Sequence, residues 1–280
     1  MGDWRVKIET PATGDRGYAL GHSEHELARL SRQGQVFFPF TRQLFEQAGV
    51  AAGMRVLDVG SGAGDSSFLV AELVGPTGSV VGVDRSEAAV GWANARALAR
   101  QIENVNFLLG DPADIEFGEQ FDAIVGRFVL MYYPDPVDAI RKLARHLRPT
   151  GLMVFQEFDM TNMRSFPACR TFEMATDLIK QAFNASGART NMGLELNSTF
   201  VDAGLPEPFL RMDAVIGAAS RFPYELVAGV LQSLLPTIER LRPSTLEIDG
   251  LEEDMRREAL ACKGIAISPG LLGAWSRKPP

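Results

Sequence analysis

The sequence predicts an α/β protein built on a mostly parallel sheet with helices on both faces. Between Arg55 and Asp159 short β-branched runs alternate with helical patterns, the order that lays parallel strands side by side with helices between them. The runs are apolar without polar alternation, as strands covered on both sides are. With 280 residues, 46% of them hydrophobic and 22% charged, the chain can bury a full core unaided.

The elements follow in order. Ser23 and Glu26 have capping-box spacing at the start of a helix over SEHELARLSRQ, and a second helix runs from about Pro39 to Ala48, stopped by Gly49. The strands are RVLDV (55–59), SVVGV (79–83), VNFLL (105–109), FDAIV (121–125) and LMVFQEF (152–158). Between them lie helices from about Asp65 to Val74, Ser86 to Arg100 and Pro136 to Leu147, the last closed by Pro149, Thr150 and Gly151. After Asp159 the pattern lengthens into helices over 168–187, 194–204 and 223–241, the third kinked by Pro236, with strands interleaved at 209–217 and 271–277. No repeat or low-complexity linker separates these parts.

Composition narrows the partners. With 28 Lys+Arg against 35 Asp+Glu the net charge is −7, so the basic footprint of a nucleic-acid binder is missing. The basic run from Arg141 to Arg148 reads as the solvated face of a helix. Cys169 and Cys262 have no C-x-x-C neighbour, giving neither a disulfide framework nor a zinc site and suiting a reducing, cytoplasmic compartment. MGDWRVKIET carries no apolar signal core, and no apolar run approaches the ~20 residues that span a bilayer. No membrane partner is expected.

The motif with most chemical content is DVGSGAGD, residues 58–65. A strand, glycine turn and helix usually bind phosphate on exposed backbone N–H groups. A mononucleotide P-loop needs a lysine, and none occurs between Lys7 and Lys142. The dinucleotide fingerprint G-x-G-x-x-G is broken, because Gly60, Gly62 and Gly64 recur at every second position and Asp65 stands where a pyrophosphate would be repelled. A ligand with ribose and adenine but with positive charge near the glycines removes the conflict. S-adenosylmethionine is such a ligand, and Asp58 and Asp65 then become electrostatic partners. Asp84 ends the second strand, 24 residues after Gly60, where its carboxylate suits the ribose hydroxyls, although an aspartate there also suits a helix N-cap. Arg85 either lays its guanidinium on the adenine or faces solvent. Asp111, in LLGDPAD, is placed to accept from the adenine amino group, although Asp-Pro is also a common turn.

VLDVGSGAG, VVGVD, LLGDPAD, FDAIVGRFVLMYYPDP and LRPTGLMVFQEFD, in this order, resemble the class I S-adenosylmethionine-dependent methyltransferases, in particular the small-molecule branch related to quinone-biosynthesis enzymes. The resemblance covers about residues 20–160. It implies a seven-stranded Rossmann-like sheet whose last strand, LLGAWSR, is antiparallel. It implies that Gly60, Ser61, Gly62 and Gly64 hold the methionine moiety, that Asp84 serves the ribose, and that Asp111, with Pro112 beside it, serves the adenine. Arg127 and Phe128 match a further cofactor contact after the fourth strand, and Tyr18 and Gln33 would approach the amino-acid end from an N-terminal lid. The chain then divides into a helical lid segment (1–50), a cofactor-binding core (51–160) and the rest of the sheet with helical cap insertions (161–280), all one domain.

Displacement at a methyl sulfonium depends mainly on alignment, so few catalytic residues are expected; a base is required only when the acceptor must lose a proton. Ligands bind at the carboxyl ends of strands in open α/β sheets. The candidates there are Tyr132 and Tyr133, each open to a packing role, and Glu157, open to a capping role, with Asp159 beside it and His22 and His25 on the lid. His146, at the end of a helix, reads as a charge favourable to the helix dipole. No metal set is found. Phe166, Phe172, Met174, Phe183, Leu226, Leu231 and Leu234 are either core or the wall of an apolar pocket. The expected partner is thus a small-molecule methyl acceptor, with a homo-oligomer as the one protein assembly allowed for. Two further readings stay open: a cyclisation or isomerisation using the sulfonium as a fixed charge, and a non-catalytic S-adenosylmethionine-binding protein.

Overall fold

The computed structural model describes residues 24–218, 222–241 and 250–280, with side chains of the first helix described at position 34 and from 36 onward. Helix α1 (Glu24–Ala48) leads into β1 (Arg55–Val59), α2 (Asp65–Val74), β2 (Ser79–Asp84), α3 (Glu87–Ala99), β3 (Val105–Leu109), β4 (Phe121–Arg127), α4 (Pro136–Leu143) and β5 (Leu147–Asp159). Then come β6 (Arg164–Phe166), α5 (Arg170–Ala185), α6 (Met192–Asp202), β7 (Phe209–Asp213), β8 (Ile216–Ala218), α7 (Phe222–Leu241), α8 (Leu251–Cys262), β9 (Ile265–Ile267) and β10 (Gly270–Arg277).

Seven strands form the main sheet in the order β3-β2-β1-β4-β5-β10-β7. The first five pair in parallel, and β10 runs antiparallel to both neighbours. The chain starts at β1 and moves outward to β3 before crossing back to β4. This places the reversal of strand order between β1 and β4, where open α/β sheets bind ligands. Val56, Leu57, Ala123, Ile124, Leu152 and Val154 are fully buried along the central strands, as expected of strands sandwiched between helices.

Helix α1 is where sequence and structure part most clearly. Two helices are expected there, yet one continuous helix contains Pro39. Pro39 removes one backbone bond, but the fully buried Phe37, Leu44 and Phe45 hold the helix on the sheet across that gap. A Cβ on Gly273 of β10 would come within 2.4 Å of the Leu44 side chain; the glycine is what lets α1 approach so closely. Ser23, the proposed cap, lies outside the described residues.

Other boundaries shift for local reasons. Helix α4 gives way after Leu143 to a 3-10 turn (Ala144–His146), and β5 already begins at Leu147, five residues earlier than expected. The strand expected over 209–217 divides, because Val215 bonds with Ser268 through its N–H and its carbonyl. Its second half therefore joins the small antiparallel sheet β6-β9-β8. Of the apolar cap residues, Phe172, Phe183, Leu226, Leu231 and Leu234 are buried in the main core, while Phe166 and Met174 face solvent. Among the described residues no helix is long and apolar enough to cross a membrane.

Candidate functional site

Gly60, Gly62 and Gly64 all have left-handed backbones, with φ of 68°, 51° and 88°, which explains the glycine at every second position. Their surroundings differ. A Cβ at Gly60 would lie 2.3 Å from Val129 Cγ2, and one at Gly64 would lie 2.9 Å from Phe68 and Phe107, whereas one at Gly62 would meet nothing within 4 Å. The outer glycines are fixed by packing, and Gly62 opens onto free space. Helix α2 follows with no side-chain cap, so its first-turn N–H groups have no intrahelical partner.

Three acids surround this loop. Asp58 is fully buried; its Oδ2 accepts from the Ser67 hydroxyl at 2.5 Å, while Oδ1 and the nearby buried Ser61 hydroxyl have no partner among the described residues. Burial pushes the Asp58 carboxyl up to about 7, with Ser67 and Arg127 pulling the other way. Asp65 pairs with Arg96 at 2.7 Å, so its charge is already answered by the protein and does not stand free for a ligand cation. Arg96 also bonds the Ala63 carbonyl. Asp84 accepts from the N–H of Gly62 at 2.8 Å and of Ser86 at 2.9 Å. The helix cap is Ser86, whose hydroxyl accepts from Ala89 N–H, so Asp84 braces the glycine loop.

Asp111 is bound on both oxygens. Its Oδ1 accepts from the Tyr133 hydroxyl at 2.8 Å and the Ala113 N–H at 3.0 Å, and its Oδ2 pairs with Arg85. The Arg85 guanidinium also lies 4.6 Å from the Tyr133 ring centroid. Arg85 therefore lies over a protein ring on one side while its side chain stays largely open to solvent. Pro112 is buried beside this cluster. Burial and the neighbouring Asp111 push the Tyr133 hydroxyl far above its ordinary range.

At the ends of β4 and β5 the half-buried Arg127 side chain makes no hydrogen bond or ion pair with a described residue; burial holds its pKa below the ordinary arginine value, against the through-space pull of Asp65 and Asp58. Phe128 has a left-handed backbone, φ 56°, and its ring stacks on Phe158 at 3.8 Å, with Phe37 of α1 edge-on to both. Phe222, opening α7, packs edge-on against Phe37 at 5.1 Å. Glu157 is fully buried: Oε1 accepts from Val129 N–H and Leu130 N–H at 2.9 and 2.8 Å, and Oε2 from Met131 N–H at 3.4 Å. Its carboxyl is pushed up to about 7 by burial. Asp159 is spent on Thr161 and Asn162. Tyr132 is half-buried against the main core.

Tyr18 and His22 lie outside the described residues, and Gln33 falls within α1 with its side chain undescribed. The next residue, Gly34, reaches the loop: a Cβ there would be 3.8 Å from Asp65 Oδ2. Burial lowers the pKa of His146, which packs edge-on against Phe117 at 5.0 Å, and so works against the charge that a helix dipole would favour. Among the described residues no cluster of three or more His, Cys, Asp or Glu is arranged to hold a metal. Sequence reasoning missed Arg96, Thr41, Gln156, Phe37 and Phe158. Thr41 donates to the buried Gln156 at 2.7 Å, tying α1 to β5; no local pattern announces contacts made across 115 residues.

A mostly parallel sheet with a glycine loop at its switch point, an acid closing β2 and a last strand that runs antiparallel defines a class: the Rossmann-like S-adenosylmethionine-dependent methyltransferases. The chain belongs to the methyltransferase-domain family, whose model matches residues 51–200. It is 32% identical over 192 residues to a 2-phytyl-1,4-naphtoquinone methyltransferase of Synechococcus elongatus, covering 65% of this chain and 78% of that one. It is 37% identical over 118 residues to the nocamycin O-methyltransferase of Saccharothrix syringae, covering 42% of each. The chain spans about half the length of the first curated relatives it matches, 42% and 54%. The crystal structure of a putative methyltransferase from Bacillus halodurans shares the fold, with a TM-score of 0.60 at 17% identity over 86% of this chain and 99% of that one.

Proposed function

We propose that this protein is a methyltransferase that uses S-adenosylmethionine to methylate an oxygen, nitrogen or carbon atom of an apolar small molecule of the secondary-metabolite kind. One observation carries the reading: in the turn that follows Asp58, Gly62 opens onto free space, and the buried Asp58 Oδ1 and Ser61 hydroxyl have no partner among the described residues. Buried polar atoms are normally satisfied, and this set suits an α-ammonium group where a pyrophosphate would be repelled. S-adenosylmethionine, when bound, supplies an electrophilic methyl on a sulfonium.

The chain's own residues do the rest. The uncapped start of α2 offers N–H donors to the methionine carboxylate. Asp84 keeps acceptor capacity beyond its two backbone bonds for the ribose hydroxyls. Asp111 has three donors against about four acceptor sites on a carboxylate, leaving one for the adenine amino group. Glu157 fixes the backbone of residues 129–131 and acts as a positioning residue. Helix α1 shields the strand ends from water. The name of the 2-phytyl-1,4-naphtoquinone relative supports an apolar, ring-bearing acceptor.

The test is calorimetry with S-adenosylhomocysteine and NADH. Binding of the former, weakened by D84A, is expected; binding of NADH alone overturns the reading. Mass spectrometry of an extract incubated with labelled S-adenosylmethionine then separates methyl transfer, which adds one CH2 to the product, from cyclisation or isomerisation, which adds nothing.

A further inference from the structure

An acceptor atom must be electron-rich when it meets the methyl group. An acceptor hydroxyl is made so when a side chain takes its proton or holds it already ionised. Around the carboxyl ends of β4 and β5 the described proton acceptors are committed elsewhere. Glu157 accepts from three backbone N–H groups, Asp159 from Thr161 and Asn162, and the Tyr133 hydroxyl gives its own proton to Asp111.

One ionic group there has no such commitment. The Arg127 guanidinium is half-buried and has no hydrogen-bond or ion-pair partner among the described residues. It lies 5.3 Å from the Phe128 ring centroid. Cations withdrawn from water are normally paired, because the lost hydration must be replaced. Among the described residues Arg127 feels Asp65 and Asp58 only through space, with no bonded counter-ion, so its guanidinium at the switch point of the sheet keeps its donors open to an anion.

Two anions compete for it: the carboxylate of the donor and an oxyanion on the acceptor. In the function proposed above, the uncapped N-terminus of α2 takes the first. Arg127 feels the glycine-loop acids Asp65 and Asp58 through space on one side and on the other borders the rings of Phe128 and Phe158, stacked at 3.8 Å, with Phe37 and Phe222 around them. Those rings come from the lid, the strand ends and the cap, and not from the glycine loop.

We propose that Arg127 pairs with an anionic oxygen of the acceptor, an ionised phenol or enol whose conjugated ring lies on the Phe128 and Phe158 floor, and that it selects such oxyanions against amines. This rests on the methyltransferase reading. The acceptor's proton is lost to solvent before binding, so no side-chain base is needed. A protonated amine meets a like charge at Arg127, and a neutral one offers no anion to pair with.

The experiment compares nitronaphthol, at a pH above its own pKa, with the isosteric nitronaphthylamine, each titrated into protein saturated with S-adenosylhomocysteine. The naphtholate is expected to bind about tenfold more tightly or better, in line with a hydrogen bond to a charged group. R127Q brings the two affinities within about threefold of each other, while R127K retains part of the preference. Equal or reversed affinities in the wild-type protein, or no binding of either, overturn the inference whether or not a variant folds. So does an R127Q protein that keeps its naphtholate preference but loses S-adenosylhomocysteine affinity, since the guanidinium then serves the donor. Failure of S-adenosylhomocysteine to bind the wild-type protein is the separate failure of the methyltransferase reading.

Discussion

The Tyr133 hydroxyl donates to Asp111 Oδ1 across 2.8 Å, and Arg85 holds the other oxygen of the same carboxylate. A general base must have its lone pair free near neutral pH. Tyr133 does not, because burial and Asp111 push its ionisation far above the ordinary range. Its work is to orient Asp111. Removing the hydroxyl leaves Asp111 its bonds to Arg85 and Ala113, so Y133F is expected to keep S-adenosylhomocysteine affinity within roughly threefold. D111A removes an acceptor in ionic form and is expected to weaken it about tenfold or more. Calorimetry on the two variants decides; a Y133F loss as large as that of D111A assigns the hydroxyl itself to the ligand.

The glycine loop gives a prediction that separates stability from binding. Alanine at Gly60 would drive its Cβ to 2.3 Å from Val129 Cγ2 in a left-handed backbone. Overpacking of that kind costs about 1–3 kcal/mol, plus the backbone strain. Alanine at Gly62 meets no atom, so only the strain remains, about 1 kcal/mol, while its methyl intrudes on the ligand's space. G60A is expected to lower Tm by several degrees. G62A is expected to stay folded and to lose S-adenosylhomocysteine affinity. If G62A binds like wild type, the open space beside Gly62 is not the ligand site.

The contrast between those glycines also shows what the sequence could carry. Strands β1 to β5 and β10 and helices α2 and α3 are marked by apolar runs and glycine breaks local in sequence, and the structure has them within a few residues of expectation, apart from the early start of β5. The glycine positions were equally legible, because a left-handed backbone is a local property. What each glycine faces was not, since Val129 and Phe107 arrive from elsewhere in the chain. Likewise a string of letters shows Asp65 as an exposed charge, while Arg96, 31 positions away, neutralises it. The continuity of α1 through Pro39 escaped for the same reason: the contacts that hold it there are with strands more than a hundred residues later, Gln156 and Gly273 among them.

Glu157 makes stability depend on pH in an unusual direction. Its carboxyl titrates at about 7 in the folded protein against an ordinary 4.5, so between those values the folded state holds a proton that the unfolded state has released. Stability then falls as pH rises from about 4.5 to 7 and is flat above. The gap is worth on the order of 3 kcal/mol at about 1.4 kcal/mol for each tenfold. Asp58, raised from 3.8 to about 7, acts in the same direction. E157Q keeps an oxygen acceptor for Val129 and Leu130 and cannot ionise. Urea denaturation is expected to show it less stable than wild type near pH 4.5, at least as stable near pH 8, and with a shallower slope between. A wild-type stability that rises from about pH 5 to 7 contradicts the assignment.

Asp58 should report on the donor through the same linkage. Apart from Ser67, its neighbours are charges acting through space: Arg127 favours ionisation, and Asp84 and Asp65 oppose it, with burial the largest effect. A bound α-ammonium or sulfonium adds positive charge beside the carboxylate and pulls its pKa down. The donor therefore binds the ionised form. Above about pH 7 that form is already present; below it, each binding event must expel a proton, so affinity falls by up to about tenfold for each pH unit. Titrations in buffers of different ionisation enthalpy are expected to show proton release that grows as the pH drops from about 8 to 6. D58N, with no proton to release, is expected to bind more weakly at pH 8 and with little dependence on pH. The sulfonium of S-adenosylmethionine should steepen the effect relative to its uncharged thioether product. If affinity is flat from about pH 6 to 8 in the wild-type protein, the cation does not sit against Asp58, and the reason for two aspartates around this glycine loop must be sought in folding alone.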